Sequence, residues 1–299
     1  MRIAVLGMGR MGHEVAGRLL EGGHEVTVWN RSPGKADDLA EKGAVDLSGK
    51  SPGEAVAGAA VVVTSLSDDA AVRAVVIDGG VAEAMGPGTG GGATDKVLVD
   101  MSTVAPKTAT DLAEAVGHER FLASPILGAP SAVASGEALY LVAGASGCRE
   151  RLLPMYETLS DRRLDLGDDP AAALVVKLLA NALLLSGLAV LGEVIATGQA
   201  AGLGDDFLSH FLGSSPLVAP ALRNRLDNMI AGHHDSWFTT ALGAKDVRLA
   251  ENVALDHRLR TPLLEAVKRR YEQAATEGFA DDDLTAVIEL VRRGPGESG

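Results

Sequence analysis

Cysteine is what this sequence has least of, and its positive charge is outnumbered by negative. Its 299 residues include one cysteine, Cys148, so neither an internal disulfide nor a cysteine metal site can form. That usage suits a reducing cytoplasm, the expected location. Lysine and arginine number 27 against 40 aspartates and glutamates, a formal net charge of -13. Nucleic acid is excluded as a partner on that ground, because its phosphates repel such a surface. No basic cluster offsets the balance; Lys268, Arg269 and Arg270 read as one exposed stretch of helix. An anionic small molecule stays admissible, since helix N-termini and a few placed cations act locally. A long apolar run near the start is lacking too: residues 3–6 are too few for the core of a signal peptide. The nearest approach to a membrane span, 178–195, carries Asn181, Ser186 and Glu193 with Lys177 just before it. It reads as a helix buried between protein surfaces, with no membrane partner expected.

Clusters of metal ligands are equally scarce, and no metal is expected. His233 and His234 are adjacent and so point in different directions, with no partner at helical spacing, which makes an exposed loop the better reading. Asp281, Asp282 and Asp283 match no calcium loop and serve as an N-cap for the last helix. Cys148 reads as packing and His13 as a helix surface residue.

What is present is the balance of a globular protein, 46% hydrophobic and 22% charged, in a length that fits one large domain or two ordinary ones. The first half alternates strand patterns at 3–6, 25–29, 61–65, 97–100 and 121–123 with helical patterns at 12–21, 35–42, 69–77 and 106–116. That alternation predicts an α/β domain, a doubly wound parallel sheet with helices on both faces. Strands at 138–143 and 162–166, flanking a helix at 148–159, extend the sheet. The glycine-rich stretch 86–95 predicts a mobile surface loop. Near Gly167 the pattern changes: Asp168 and Asp169 offer capping oxygens, and Pro170 suits a first helical turn. Beyond it only helical periodicity appears, beginning with a helix over 171–201 that spans ~45 Å, enough to cross from one domain to the next. No internal repeat is present. The expected division is 1–167 as an α/β domain and 168–299 as an all-helical domain.

Gly7-Met8-Gly9-Arg10-Met11-Gly12 is a G-x-G-x-x-G that directly follows a strand and opens a helix, with a second strand ending about twenty residues on. In such a loop the first glycine permits the tight turn, the second lets backbone approach a pyrophosphate and the third lets helix and strand pack. The second strand ends in Trp29-Asn30-Arg31-Ser32, without the acid that binds a ribose 2'-hydroxyl. Arg31 can pair with a 2'-phosphate, with Asn30 and Ser32 donating to it, so NADP is expected in preference to NAD. Ser102 and Thr103 follow the strand 97–100, where open α/β sheets bind ligands. They serve equally well as caps for the helix starting near Pro106. Lys177 and Asn181 lie one turn apart on an otherwise apolar helix. The lysine either reaches out to water or lines a polar cavity, where an ammonium would stabilise charge developing on a carbonyl oxygen and supply the proton.

The sequence resembles the β-hydroxyacid dehydrogenase family, whose members include 3-hydroxyisobutyrate dehydrogenases and glyoxylate/succinic semialdehyde reductases. The resemblance runs over nearly the whole length, through GMGRMG at 7–12, DMST at 100–103 with Pro106, the glycine-bearing stretch after Pro125, Lys177-x-x-x-Asn181 and KDVRLA at 245–250. It implies an oxidoreductase that moves hydride between NADP and a small carbonyl or hydroxy compound. Lys177 is then the general acid/base, Ser102, Thr103, Gly128 and Asn181 contact substrate, and Lys245 lies near both substrate and nicotinamide. Leu66, Ser67 and Thr103 join the 7–12 loop, Asn30, Arg31 and Ser32 in holding the cofactor. A homodimer or homotetramer is implied as well, with the helical domain 168–299 closing over the dinucleotide-binding domain 1–167 and supplying the oligomer contacts. One departure stands out. Where many members read D-A-P-V-S-G-G, with the serine gripping a substrate carboxylate, this chain reads Ala123-Ser124-Pro125-Ile126-Leu127-Gly128-Ala129. Leu127 makes that corner apolar, which implies a bulkier or less polar substrate, or a carboxylate gripped differently. Imine reductases resemble the family in fold and share a similar WNR segment, but they usually replace the catalytic lysine, which is intact here. A non-catalytic NADP-binding sensor or scaffold is the alternative from another class.

Overall fold

The computed structural model describes residues 1–86 and 96–293. The stretch 87–95, expected as part of a mobile loop, lies outside the described residues, as does 294–299.

Nine strands build the sheet: β1 (Arg2–Leu6), β2 (Glu25–Trp29), β3 (Val45–Asp46), β4 (Val61–Thr64), β5 (Val97–Asp100), β6 (Phe121–Ala123), β7 (Ile126–Leu127), β8 (Leu139–Gly144) and β9 (Arg163–Asp165). Their order is β3-β2-β1-β4-β5-β6-β8-β7, with β9 on β8. The first six pair in parallel, and β4 and β5 are buried at every residue, as strands covered on both faces must be. Ile3, Val5 and Val28 point into one core with Val15, Leu19 and Tyr156. Ala4, Leu6, Val62 and Leu98 point into the opposite core with Leu112 and Phe121. The two-residue period of a strand thus feeds both layers.

Several expectations are corrected. β8 does extend the sheet, but it runs antiparallel to β6 and β7. The connection from β6 is spent on β7 and a short helix, Pro130–Ala134, which leaves no crossover long enough to restore the parallel direction. The helix expected over 148–159 is two, Ser146–Arg151 and Leu153–Leu159, with Pro154 in the first turn of the second. The helix over 69–77 ends at Arg73 and passes into a wider π turn, Ala74–Asp78. β3 and β7, two residues each, have too little length to show a period.

The chain divides into two compact units, Met1–Lys177 and Leu178–Gly299. The division falls inside one unbroken helix, Pro170–Ala200. At its start Asp169 accepts the Ala171 amide at 3.0 Å, whereas Asp168 pairs with Arg149 at 2.9 Å. By length and composition this helix is apolar enough to cross a membrane. In the second unit its residues Leu185, Leu188, Leu191 and Ile195 form a core with Met229, Val247, Tyr271 and Ile288, while Leu179, Leu183, Val190 and Val194 stand exposed.

Two expected loop features of the second unit take definite form. Asp283 caps the 3-10 helix Leu284–Ile288 through the Thr285 amide and also pairs with buried Arg225 at 2.9 Å. The Arg225 guanidinium lies 3.6 Å over the Trp237 ring, a cation–π contact that shields the buried charge. His234 bonds to Thr285 and Glu289, and among the described residues no group of ligating side chains is placed to hold a metal.

Candidate active site

The strand order reverses between β1 and β4, and loops leaving such a pair diverge to open a crevice at the carboxyl edge. Gly7 turns there with φ of +103°. A Cβ on it would collide with the Ser65 carbonyl, and one on Gly12 would collide with the Gly7 carbonyl. Nothing lies within 4 Å of the position a Gly9 Cβ would take. Gly7 and Gly12 are therefore demanded by internal packing, and Gly9 leaves room for something from outside. Gly9 is the N-cap of the helix Arg10–Glu21 (α1), and it supplies no side-chain cap. Uncapped first-turn amides and the positive end of the helix dipole suit an anion. A dinucleotide pyrophosphate fits this cradle.

At the end of β2 the residues expected for a 2'-phosphate are placed unequally. Arg31 and Ser32 are exposed. The amide of Asn30 is engaged within the chain: Oδ1 accepts the Met8 amide at 3.1 Å and Nδ2 donates to the Ser32 carbonyl at 2.9 Å. Asn30 therefore bridges the glycine loop and the loop carrying Arg31. Arg10 is exposed, Met11 half-buried, and Met8 buried in the core beneath α1.

The ends of β4 and β5 are tied together. Buried Asp100 accepts from the Thr64 hydroxyl at 2.7 Å and the Ser102 amide at 3.1 Å, both on Oδ1. Its Oδ2 has no partner among the described residues. Ser102, itself buried, accepts the Leu66 amide on Oγ at 2.9 Å, so it joins the two loops. Neither Ser102 nor Thr103 caps the helix Pro106–Val116 (α2), which has no side-chain cap; its N-cap, Ala105, donates its amide to Asp69 at 2.8 Å. Ser67 is exposed and donates to Asp68 at 2.8 Å. Thr103 is half-buried beside them. Burial pushes the Asp100 carboxyl up to about 6, against the pull of the Ser102 and Thr64 hydroxyls.

Lys177 is the last residue of the first unit. Its Nζ donates to the Ile126 carbonyl at 2.6 Å. Ile126 follows closely on β6, whose end pairs with that of β5 through Asp100 and Ala123, so the ammonium lies at the same carboxyl edge as Ser102. Leu127 packs against the apolar core, and Gly128 turns with φ of +153° beside Ala132 and Ala138. In the second unit, Asn181 donates to Asp246 Oδ2 at 2.6 Å, and Lys245 Nζ lies 3.1 Å from Asp246 Oδ1. All three are buried. Asp246 thus holds two of the expected site residues; its motif was visible in the sequence but no role was read from it. A pocket of about 380 Å³ elsewhere in the first unit, lined by His118, Glu119, Ser146 and Asp168 among others, contains none of these residues.

Comparison with known proteins agrees with this geometry. Residues 2–167 match the NAD binding domain of 6-phosphogluconate dehydrogenase, and residues 171–291 match the NAD-binding domain of NADP-dependent 3-hydroxyisobutyrate dehydrogenase. Glyoxylate/succinic semialdehyde reductase 1 of Arabidopsis thaliana is 30% identical over 98% of this chain and 99% of its own. The fold of 3-hydroxyisobutyrate dehydrogenase from Salmonella typhimurium superposes with a TM-score of 0.86 at 22% identity, covering 97% of this chain and 99% of that one. An imine reductase from Bacillus cereus superposes less well, at 0.59 and 25% identity over 98% and 99%.

The glycine assignments separate in experiment. Gly9 has φ of -75°, which alanine adopts freely, so Gly9→Ala is expected to melt like the wild type and bind dinucleotide at least tenfold more weakly. Gly12→Ala forces backbone apart and is expected to lose about 1–3 kcal/mol of stability or more. Unimpaired binding by Gly9→Ala, measured by calorimetric titration, would show that the loop does not hold the cofactor. Asp100 makes a prediction in pH. An acid raised on folding keeps its proton in the native chain where the unfolded chain has lost it. Its contribution favours folding near pH 4 and is withdrawn as pH rises through about 6. Relative to Asp100→Asn, the wild type is expected to lose up to roughly 3 kcal/mol between those limits. Parallel stability curves from urea unfolding would refute this.

Proposed function

The chain belongs to the β-hydroxyacid dehydrogenase family of NAD(P)-binding oxidoreductases, and from that membership we propose an NADP-dependent reductase of small carbonyl compounds, of the hydroxyacid or semialdehyde type, with Lys177 as the proton donor. The observation that carries the reading is the ammonium of Lys177, half-buried on an apolar helix and aimed by the Ile126 carbonyl at the carboxyl edge of the sheet. When bound, the dinucleotide supplies hydride from its nicotinamide ring. As the carbonyl carbon is reduced, negative charge grows on its oxygen, and Lys177 Nζ–H stabilises that charge and gives up its proton to form the alcohol. The neutral amine then regains a proton from water, and oxidation runs the same steps backwards with Lys177 as base. Ser102 and Thr103 orient the substrate at the strand ends of the first unit; in the second unit Asn181 and Lys245, expected in substrate binding, are both held by Asp246. Arg31 and Ser32, with no acid at the end of β2, favour the 2'-phosphate of NADP.

The decisive experiment follows NADPH oxidation with a panel of semialdehydes, keto acids and cyclic imines, and repeats it with Lys177→Ala. A drop in kcat of about 10²–10⁴-fold is expected, with KM for NADPH little changed. Wild-type turnover by the variant would remove Lys177 from the chemistry. Preference for the imines would move the chain to imine reduction, and NADPH binding without turnover of any compound would make it a sensor or scaffold.

The proposal includes self-association. Leu179, Leu183, Val190 and Val194 recur on one face of the long helix at 53%, 78%, 59% and 46% exposure, an apolar row of the sort that soluble monomers seldom leave open. A homodimer or homotetramer covers it. Light scattering is expected to give a multiple of 30.7 kDa and Leu183→Glu a lower mass; a monomeric wild type contradicts this.

A further inference from the structure

The glycine loop and the loop carrying Arg31 are held by a relay that begins on a third strand, outside every motif read from the sequence. β3 ends at Asp46, opposite Val28 of β2, and the Leu47 amide extends the ladder to the Val28 carbonyl. The chain then turns sharply. Asp46 Oδ1 accepts both the backbone amide of Ser48 at 2.9 Å and its hydroxyl at 2.5 Å. Ser48 Oγ accepts the backbone amide of Asn30 at 3.1 Å. Asn30 in turn accepts from Met8 and donates to Ser32.

Every direction in this relay is fixed by chemistry. An ionised carboxylate only accepts, so the Ser48 hydroxyl spends its one proton on Asp46 and offers a lone pair to Asn30. Met8 can offer only its N–H, so the oxygen of the Asn30 amide faces the glycine loop and the nitrogen faces Ser32. Ser48 is 9% exposed, where an unmade bond is not replaced freely by water. The neighbouring Trp29 indole donates to the Lys50 carbonyl at 2.9 Å and pins the same turn from its other side. With the Met8 amide engaged by Asn30, anion binding falls to the first turn of α1, and the position of that turn depends on where Asn30 stands.

We propose that Ser48, braced by Asp46, is a positioning residue of the dinucleotide site, fixing Asn30 and through it both the pyrophosphate loop and the loop that carries Arg31. Part of the geometry it sets lies where NADP and NAD are alike, at the pyrophosphate, so its loss weakens both cofactors. Arg31 acts where they differ. The inference rests on the proposed function only for that contrast.

The test is calorimetric titration of the purified chain with NADPH and, separately, NADH, without substrate. Ser48→Ala is expected to weaken both by about tenfold and to raise KM for NADPH by a similar factor, with kcat at saturating NADPH within twofold of the wild type. Ser48→Thr, which restores the hydroxyl, is expected to recover most of the affinity. Asp46→Ala, which leaves the hydroxyl without its acceptor, weakens both cofactors less. Affinities within twofold of the wild type in both Ser48→Ala and Asp46→Ala overturn the proposal. So does a fall in kcat and melting temperature that Ser48→Thr fails to reverse, because that is the mark of a general packing defect. Arg31→Ala serves as the control: if it weakens NADPH and NADH equally, the 2'-phosphate reading falls while the role of Ser48 stands.

Discussion

Two strands that send their chains to opposite faces of a sheet must let the outgoing loops pass each other, and here they pass as bare backbone. Gly7 and Gly12 approach the carbonyls of Ser65 and Gly7 so closely that no side chain fits between. The rest of the cofactor end follows from that contact. It sets where α1 begins, and with it the direction of the amides that face an anion. It also brings the ends of β1, β2, β4 and β5 side by side, near enough for single side chains to join them. Asn30 joins the first pair of loops, and Asp100 with Thr64 and Ser102 joins the second. Most polar side chains along this edge are thus occupied in fixing loops. Favourable potential for a phosphate is left largely to the backbone, which explains how a chain of net charge -13 presents a site for a polyanion.

Ionisable groups are buried sparingly, and those that are buried come with partners, as Arg225 does with Asp283. Lys177 interrupts an apolar helix and is met by a backbone carbonyl. Lys245 and Asn181 converge on Asp246. A buried charge persists only when its partners replace the water it has lost. Lys177 donates to a backbone carbonyl, that of Ile126. Lys245 is matched by an acid, Asp246.

Much of this was legible in the sequence because it is carried by local pattern. The long apolar strands, the G-x-G-x-x-G and the one-turn spacing of Lys177 and Asn181 each show within a dozen residues, and each lies where it was expected. What could not be read is non-local. The Asn30 amide can donate to a phosphate or to a neighbouring loop, and only the placement of the Ser32 carbonyl and the Met8 amide decides between them. Ser102 could cap a helix or face a ligand; its engagement with Leu66 arises across two strands. The reversal at β8 depends on how a short connection is spent, and the two-residue strands β3 and β7 carry no period. Ser48 and Asp46 look like an ordinary turn, and their importance comes from what the turn touches.

The long helix acts as a ruler. Lys177 and Asn181 belong to different compact units, yet they sit on one unbroken run of backbone, with their separation along the axis fixed at ~6 Å. Inserting or deleting one residue between them would turn one side chain by ~100° about that axis relative to the other. Descendants of this chain can therefore exchange residues in that stretch but cannot change its length, so divergence there is confined to substitution while surface loops remain open to gaps. Where a lineage has altered its chemistry, the record should be written as changed letters at constant spacing.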